Sequence, residues 1–134
     1  SFTYLDFVKD NKYIQYTFKG QDYIYKIFSV SYTERDNIPK FTREDLTSEE
    51  MNEYIEQSLE DSIFKFDIDV NENDKILSLV TCTRMYGRYN DIEFKVDARL
   101  VRRGELKLNY DVSATEKYQE VKDIMEGGEN NEKA

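Results

Sequence analysis

Apolar and polar positions alternate through IEFKVDARLV, residues 92–101. Ile92, Phe94, Val96, Ala98 and Leu100 fall on one side, and Glu93, Lys95, Asp97 and Arg99 on the other. A period of two predicts an antiparallel strand with one face buried and one in water. Two more β-runs, at about 13–18 and 22–33, are rich in Tyr, Ile, Phe and Val and are joined by a turn at Lys19-Gly20-Gln21-Asp22. NEND, residues 71–74, reads as a turn before the compact strand KILSLVTC, residues 75–82. The period changes after Thr47. TSEE has the form of a capping box, with Thr47 as N-cap and Glu50 at N3. Met51, Tyr54, Ile55 and Leu59 then share one helical face, so a helix is expected to about Asp61. Phe2, Leu5 and Val8 predict a short helix at the start. Residues 36–42, around the single proline Pro39, read as a loop, 114–125 as a charged helix, and GGENNEKA as disordered. The sum is mainly β with one or two helices, which points to a barrel or curved sheet.

Composition narrows this picture. The 134 residues suit one domain, and 39% apolar with 14% aromatic residues describes a globular chain despite 35% charged positions. No run approaches the ~20 apolar residues of a membrane-spanning helix. A net charge of −9 argues against nucleic acid as a partner. The charge is uneven: residues 111–134 hold seven acids against three lysines, whereas residues 84–103 hold six Arg or Lys against three acids. The expected division is therefore a folded portion at 1–110 and an acidic tail at 111–134, partly helical and then disordered. Tyr13, Tyr16, Tyr23, Tyr25 and Tyr32 suit either a carbohydrate platform or, more simply, cross-strand packing in a barrel wall.

There is one cysteine, Cys82, and no histidine. An internal disulfide is excluded, no metal site is expected, and nothing calls for a cofactor. A lone cysteine at a strand end is usually a small buried side chain. Its surroundings here change that reading. Ser78-Leu79-Val80-Thr81-Cys82, followed by a loop and then ARLVRRGE, resembles the sortases, cysteine transpeptidases of Gram-positive cell surfaces. DVNENDKILSLVTCT, YKIFSVSYTERD and DARLVRRGE each resemble segments of class B sortases in the expected order, and the TSEE helix lies where that class inserts a helix. The resemblance spans about residues 1–108. It implies a β-barrel with the nucleophile Cys82 at a strand end and Thr81 beside the substrate. It further implies a sorting-signal peptide of surface proteins as substrate, an amine from peptidoglycan or a pilin as acceptor, and a place on the extracellular face of the cell membrane.

Two departures qualify it. The family's histidine lies in a Gly-His-Asn-like stretch just upstream of the segment that Ser1-Phe2 resembles. The barrel is thus expected to be incomplete here, lacking its N-terminal strands, unless a missing N-terminal segment or second chain completes it. The family's arginine opens the strand after the cysteine, and matching the ARLV segments puts Glu93 there. A carboxylate would raise the thiol pKa and repel an oxyanion. Arg88, or alternatively Arg84, is the expected substitute from the intervening loop. With neither base nor assured cation, the chain alone is expected to be inactive, and a non-catalytic sortase-like binding or assembly module is the rival reading. An unrelated β-rich binding domain is a third.

Overall fold

The computed structural model describes residues 4–34, 46–82, 92–105 and 109–123. The loop expected at 36–42, the sequence GGENNEKA and both Arg84 and Arg88 lie outside them.

Helix α1 (Tyr4–Asp10) leads into a hairpin of β1 (Tyr13–Phe18) and β2 (Gln21–Glu34). The two residues between the strands, Lys19 and Gly20, have φ of 52° and 77°. Such a pair forms the type I′ turn, whose twist matches that of the strands, and Gly20 takes its φ without steric cost. Helix α2 (Ser48–Asp61) follows, then β3 (Phe64–Phe66), β4 (Ile76–Cys82), β5 (Ile92–Leu100) and β6 (Val112–Ala114). The sheet order is β1-β2-β5-β4, all antiparallel, with β3 and β6 forming a second, two-stranded sheet. Residues 116–123 are helical. The structure is thus mainly β with few helices, as the periodicities predict.

Register explains the core. Ile27 pairs with Ala98, Val30 with Val96 and Tyr32 with Phe94, which puts these side chains on one face. That face packs against Ile63, Phe64, Phe66, Tyr110, Val112 and Val121, with Val8 of α1 closing the cluster. Two of these, Val112 and Val121, come from the stretch grouped above with the acidic tail. The register shifts between Ile27 and Ser29, so Phe28 is the extra residue of a bulge. The bulge lets consecutive Ile27 and Phe28 both be buried. It also turns Ser29 and Ser31 to the opposite face.

One expectation needs correction. The alternation predicts a solvent-facing polar side for β5, yet Asp97 is 0% exposed and Arg99 1%. β5 is a central strand, and α2 together with the turn at 102–105 covers its polar face.

Thr47 caps α2 as read. Its hydroxyl accepts from the Glu50 amide at 3.1 Å, and the Glu50 carboxylate accepts from the Thr47 amide at 3.1 Å. These bonds hold the Glu50 carboxyl below its ordinary value. Replacing Thr47 by Ala should cost about 1 kcal/mol. A lower urea midpoint at unchanged m would show it, and an unchanged midpoint would mean the cap is redundant.

Candidate functional site

Cys82 is the last residue of β4, the edge strand of the larger sheet, and the register sets it opposite Glu93. Thr81 pairs with Phe94. Going back along the two strands, Val80 faces Lys95 and Ser78 faces Asp97. Because strand positions alternate, Val80/Lys95 and Ser78/Asp97 are pairs of one face, and α2 reaches Ser78, Lys95 and Asp97 on it.

Under α2 that face carries a connected polar cluster. Tyr54 OH and Ser78 Oγ both donate to Asp97 Oδ1, and the two hydroxyls lie 2.9 Å apart. Lys95 Nζ donates to Tyr54 OH at 3.1 Å and to Ser58 Oγ at 3.2 Å, and it sits 4.5 Å from the centre of the Tyr54 ring. Asp97 Oδ2 makes no hydrogen bond; it is balanced by the Lys95 ammonium 3.2 Å away. Ser29 Oγ donates to the Ser58 carbonyl at 2.6 Å. A buried carboxylate without such partners would be costly, so the cluster fixes α2 on the sheet with specific geometry. It also commits the positive charge nearest Cys82 in the register, that of Lys95, to Asp97.

At the far end of the same face lies a second charged cluster. Glu105 accepts two bonds from Arg99, Nη1 to Oε1 at 3.0 Å and Nη2 to Oε2 at 2.9 Å, and one from Lys26 Nζ at 2.8 Å. These bonds, led by that of Arg99, hold the Glu105 carboxyl far below the usual carboxylate range, against the opposing effect of burial. The RRGE turn makes this possible. The Glu105 amide bonds the Arg102 carbonyl at 3.0 Å, and Gly104 has φ of 78°, a value that favours glycine. Arg102 binds Asp74 through Nε and Nη2, both at 2.8 Å, and Asp69 through Nη1 at 2.6 Å. Burial raises the Asp74 pKa, but its bonds to Arg102 and the Asn71 amide outweigh that and leave it lowered. This end of the sheet is an electrostatic clamp, remote from Cys82.

The structure therefore brings Cys82 and Glu93 together across the β4–β5 ladder and places Thr81 one residue earlier. The roles expected of Arg84 and Arg88 fall outside the described residues. Tyr54, Ser58, Ser78, Lys95 and Asp97 were not singled out from sequence as a group. Tyr54 and Ser58 do stand four apart on a helix, but nothing local says that this edge of the helix meets Ser78 and Asp97. Among the described residues no cluster of three or more His, Cys, Asp or Glu side chains could hold a metal ion, and no helix is long and apolar enough to cross a membrane.

This curled antiparallel sheet, with α2 ahead of the cysteine-bearing strand, matches part of the sortase B fold. Comparison with solved structures bears out that family resemblance. The chain matches Clostridium perfringens sortase B at 29% identity with a TM-score of 0.59, over 72% of this chain and 52% of that one. A Bacillus anthracis protein similar to sortase B matches at 27% identity and a TM-score of 0.59, over 72% and 41%. A Staphylococcus aureus sortase B–substrate complex matches in fold at 21% identity and a TM-score of 0.57, over 74% and 46%. No protein-family model matches the chain, and no curated protein matches it by sequence. The chain spans about half the length of the sortase B chains it matches.

Proposed function

We propose that this chain is the cysteine-bearing portion of a sortase-type transpeptidase that anchors surface proteins at the Gram-positive cell wall, on the outer face of the membrane. The supporting observation is the position of Cys82 as the terminal residue of β4 in a sheet that superimposes on sortase B. In this reading the Cys82 thiolate attacks a threonine carbonyl of a sorting peptide. The C–N bond breaks as the C–S bond of a thioester forms, and the departing amine takes up a proton from water. An acceptor amine from peptidoglycan or a pilin then attacks the thioester, gives a proton back to water and releases the thiolate. Thr81 lies beside the bound peptide, and Arg88, or else Arg84, brings positive charge to the oxyanion.

Without a histidine the chain alone lacks a base for the thiol. Alkaline pH supplies the same deprotonation: a thiol of ordinary pKa ~8.5 is a few per cent thiolate at pH 7 and about three-quarters at pH 9. Incubation with a sorting-type peptide whose scissile amide is replaced by a phenyl ester, a leaving group that needs no proton, should accordingly yield a thioester on Cys82 at pH 9, read by intact mass, and almost none at pH 7. The opposing register position of Glu93 favours a second reading, a sortase-like module that binds without acylation. Peptide binding measured by anisotropy, with no Cys82 adduct at either pH, would select the module and end the transpeptidase reading.

A further inference from the structure

The two ends of α2 are fastened to the sheet differently. At the C-terminal end the ties are buried and directed at backbone. Ser29 Oγ donates to the Ser58 carbonyl at 2.6 Å. Ser62, which caps the helix, accepts from the Val30 amide at 3.1 Å and donates to the Phe64 carbonyl at 2.6 Å. The Ile63 amide adds a bond to the Val30 carbonyl at 2.8 Å. At the N-terminal end no residue from 46 to 54 is buried, and the polar tie is the Tyr54 hydroxyl, shared among Ser78, Asp97 and Lys95. Ile55 is the one apolar residue that α2 buries, and Leu59 stays 45% exposed. The closed arrangement also carries a cost. Asp97 is fully buried beneath α2 with Oδ2 lacking a hydrogen bond, and burying a carboxylate is unfavourable even beside a cation. Its partner Lys95 stands two residues away on the same strand, so the pair stays together and regains water when the helix lifts. The capping box keeps the first turn helical as it moves.

We propose that α2 is a hinged lid: it pivots about the anchor at Ser58 and Ser62, and the Tyr54 hydroxyl is the latch that holds its N-terminal half closed over Ser78, Lys95 and Asp97. Opening admits water and polar solutes to the polar face of the β4–β5 pair, whose register ends at Cys82 and Glu93. It also separates Tyr54 from Ser78, so the position of the lid is felt by the cysteine-bearing strand through that contact. A net hydrogen bond shifts such an equilibrium by about two- to tenfold, so the closed state is favoured without being locked. The device goes beyond the acylation proposed above and does not depend on it.

The test uses the full chain with pairs of spin labels. Gln15→Cys with Glu49→Cys, exposed positions on β1 and in the first turn of α2, reports the lid; Gln15→Cys with Glu60→Cys reports the hinge end. Both carry Cys82→Ser to keep the label off the native thiol. Tyr54→Phe should raise the population of a second distance from 15 to 49 at least fivefold and leave the distance from 15 to 60 single. Ser78→Ala, which removes one of the latch's partners, should act in the same direction by a smaller factor. Relaxation dispersion on the unsubstituted chain should show millisecond exchange at the amides of 51–54 and none at those of 59–62, and this decides the matter even if Tyr54→Phe unfolds. A distance from 15 to 49 that both substitutions leave unchanged would overturn the proposal. So would two distances that broaden together, which would mean that the whole helix detaches, or flat dispersion profiles at both ends.

Discussion

Replacing Glu105 by Gln will destabilise the fold by about 2–3 kcal/mol, below the full range for breaking a buried ion pair because the carboxylate is itself partly exposed. Lys26 and Arg99 are each 1% exposed and share this carboxylate. The neutral amide keeps the shape but removes the negative charge and disrupts the bidentate contact with Arg99. Stability should follow pH in the corresponding sense. The Glu105 carboxyl is held below its ordinary value in the folded state, so its contribution is complete above the unfolded pKa of ~4.3 and declines as the pH falls below it. Urea titrations of both proteins at pH 7 and pH 3 test this: the gap between wild type and Glu105→Gln should be widest at pH 7 and narrower at pH 3. An equal gap at both pH values would show that the carboxylate is not the stabilising species. A loss under 1 kcal/mol at pH 7 would show that the cluster contributes little net stability.

Replacing Glu93 by Arg should raise the alkylation rate of Cys82 at pH 7 by about ten- to a hundredfold. The two residues are register partners, and paired positions hold their Cβ atoms ~5 Å apart. A unit charge at ~6 Å in a medium of effective dielectric ~40 changes the free energy of thiolate formation by about 1.4 kcal/mol, or about one pKa unit. Exchanging a negative for a positive charge counts twice, and solvent screening brings the effect toward the lower end of the range. Glu93→Gln should give about half the logarithmic change. Iodoacetamide kinetics across pH 6–10 would read the shift. A rate profile identical for Glu, Gln and Arg would mean that the thiol does not sense this position, and the account of Glu93 as the inhibitory charge would fall. The Lys95 ammonium, two register positions along, is already paired with Asp97.

The pairing of Cys82 with Glu93 also separates what local pattern can say from what it cannot. Matching the ARLV segment put Glu93 at the family's arginine position, and the β4–β5 register then set it opposite the cysteine. The polar face of β5 shows the opposite case. Its alternation was legible, but the fate of Asp97 and Arg99 was not. Alternation says which residues share a face, and only distant segments decide whether that face meets water. Here α2, 40 or so residues away in sequence, and Glu105, beyond the strand end, both fold over it. β3 and β6, three residues each, were too short to register as a period, although buried Phe64 and Phe66 anchor the core.

By itself the sequence determined the elements governed by short-range rules. The capping box at Thr47 and Glu50 closes within one helical turn, and the Lys19-Gly20 turn fixes its hairpin through backbone geometry alone. The cysteine-ended strand and its family resemblance were likewise written in a few contiguous residues. Tertiary structure decided everything that depends on which surfaces meet: the bulge at Phe28, the burial of Asp97, Arg99 and Lys26, and the place of β4 at the end of the strand order among the described residues. The reason is that the cost of burying a charge, or of leaving a strand edge open, is set by neighbours brought from elsewhere in the chain, and those neighbours exist only once the chain has folded.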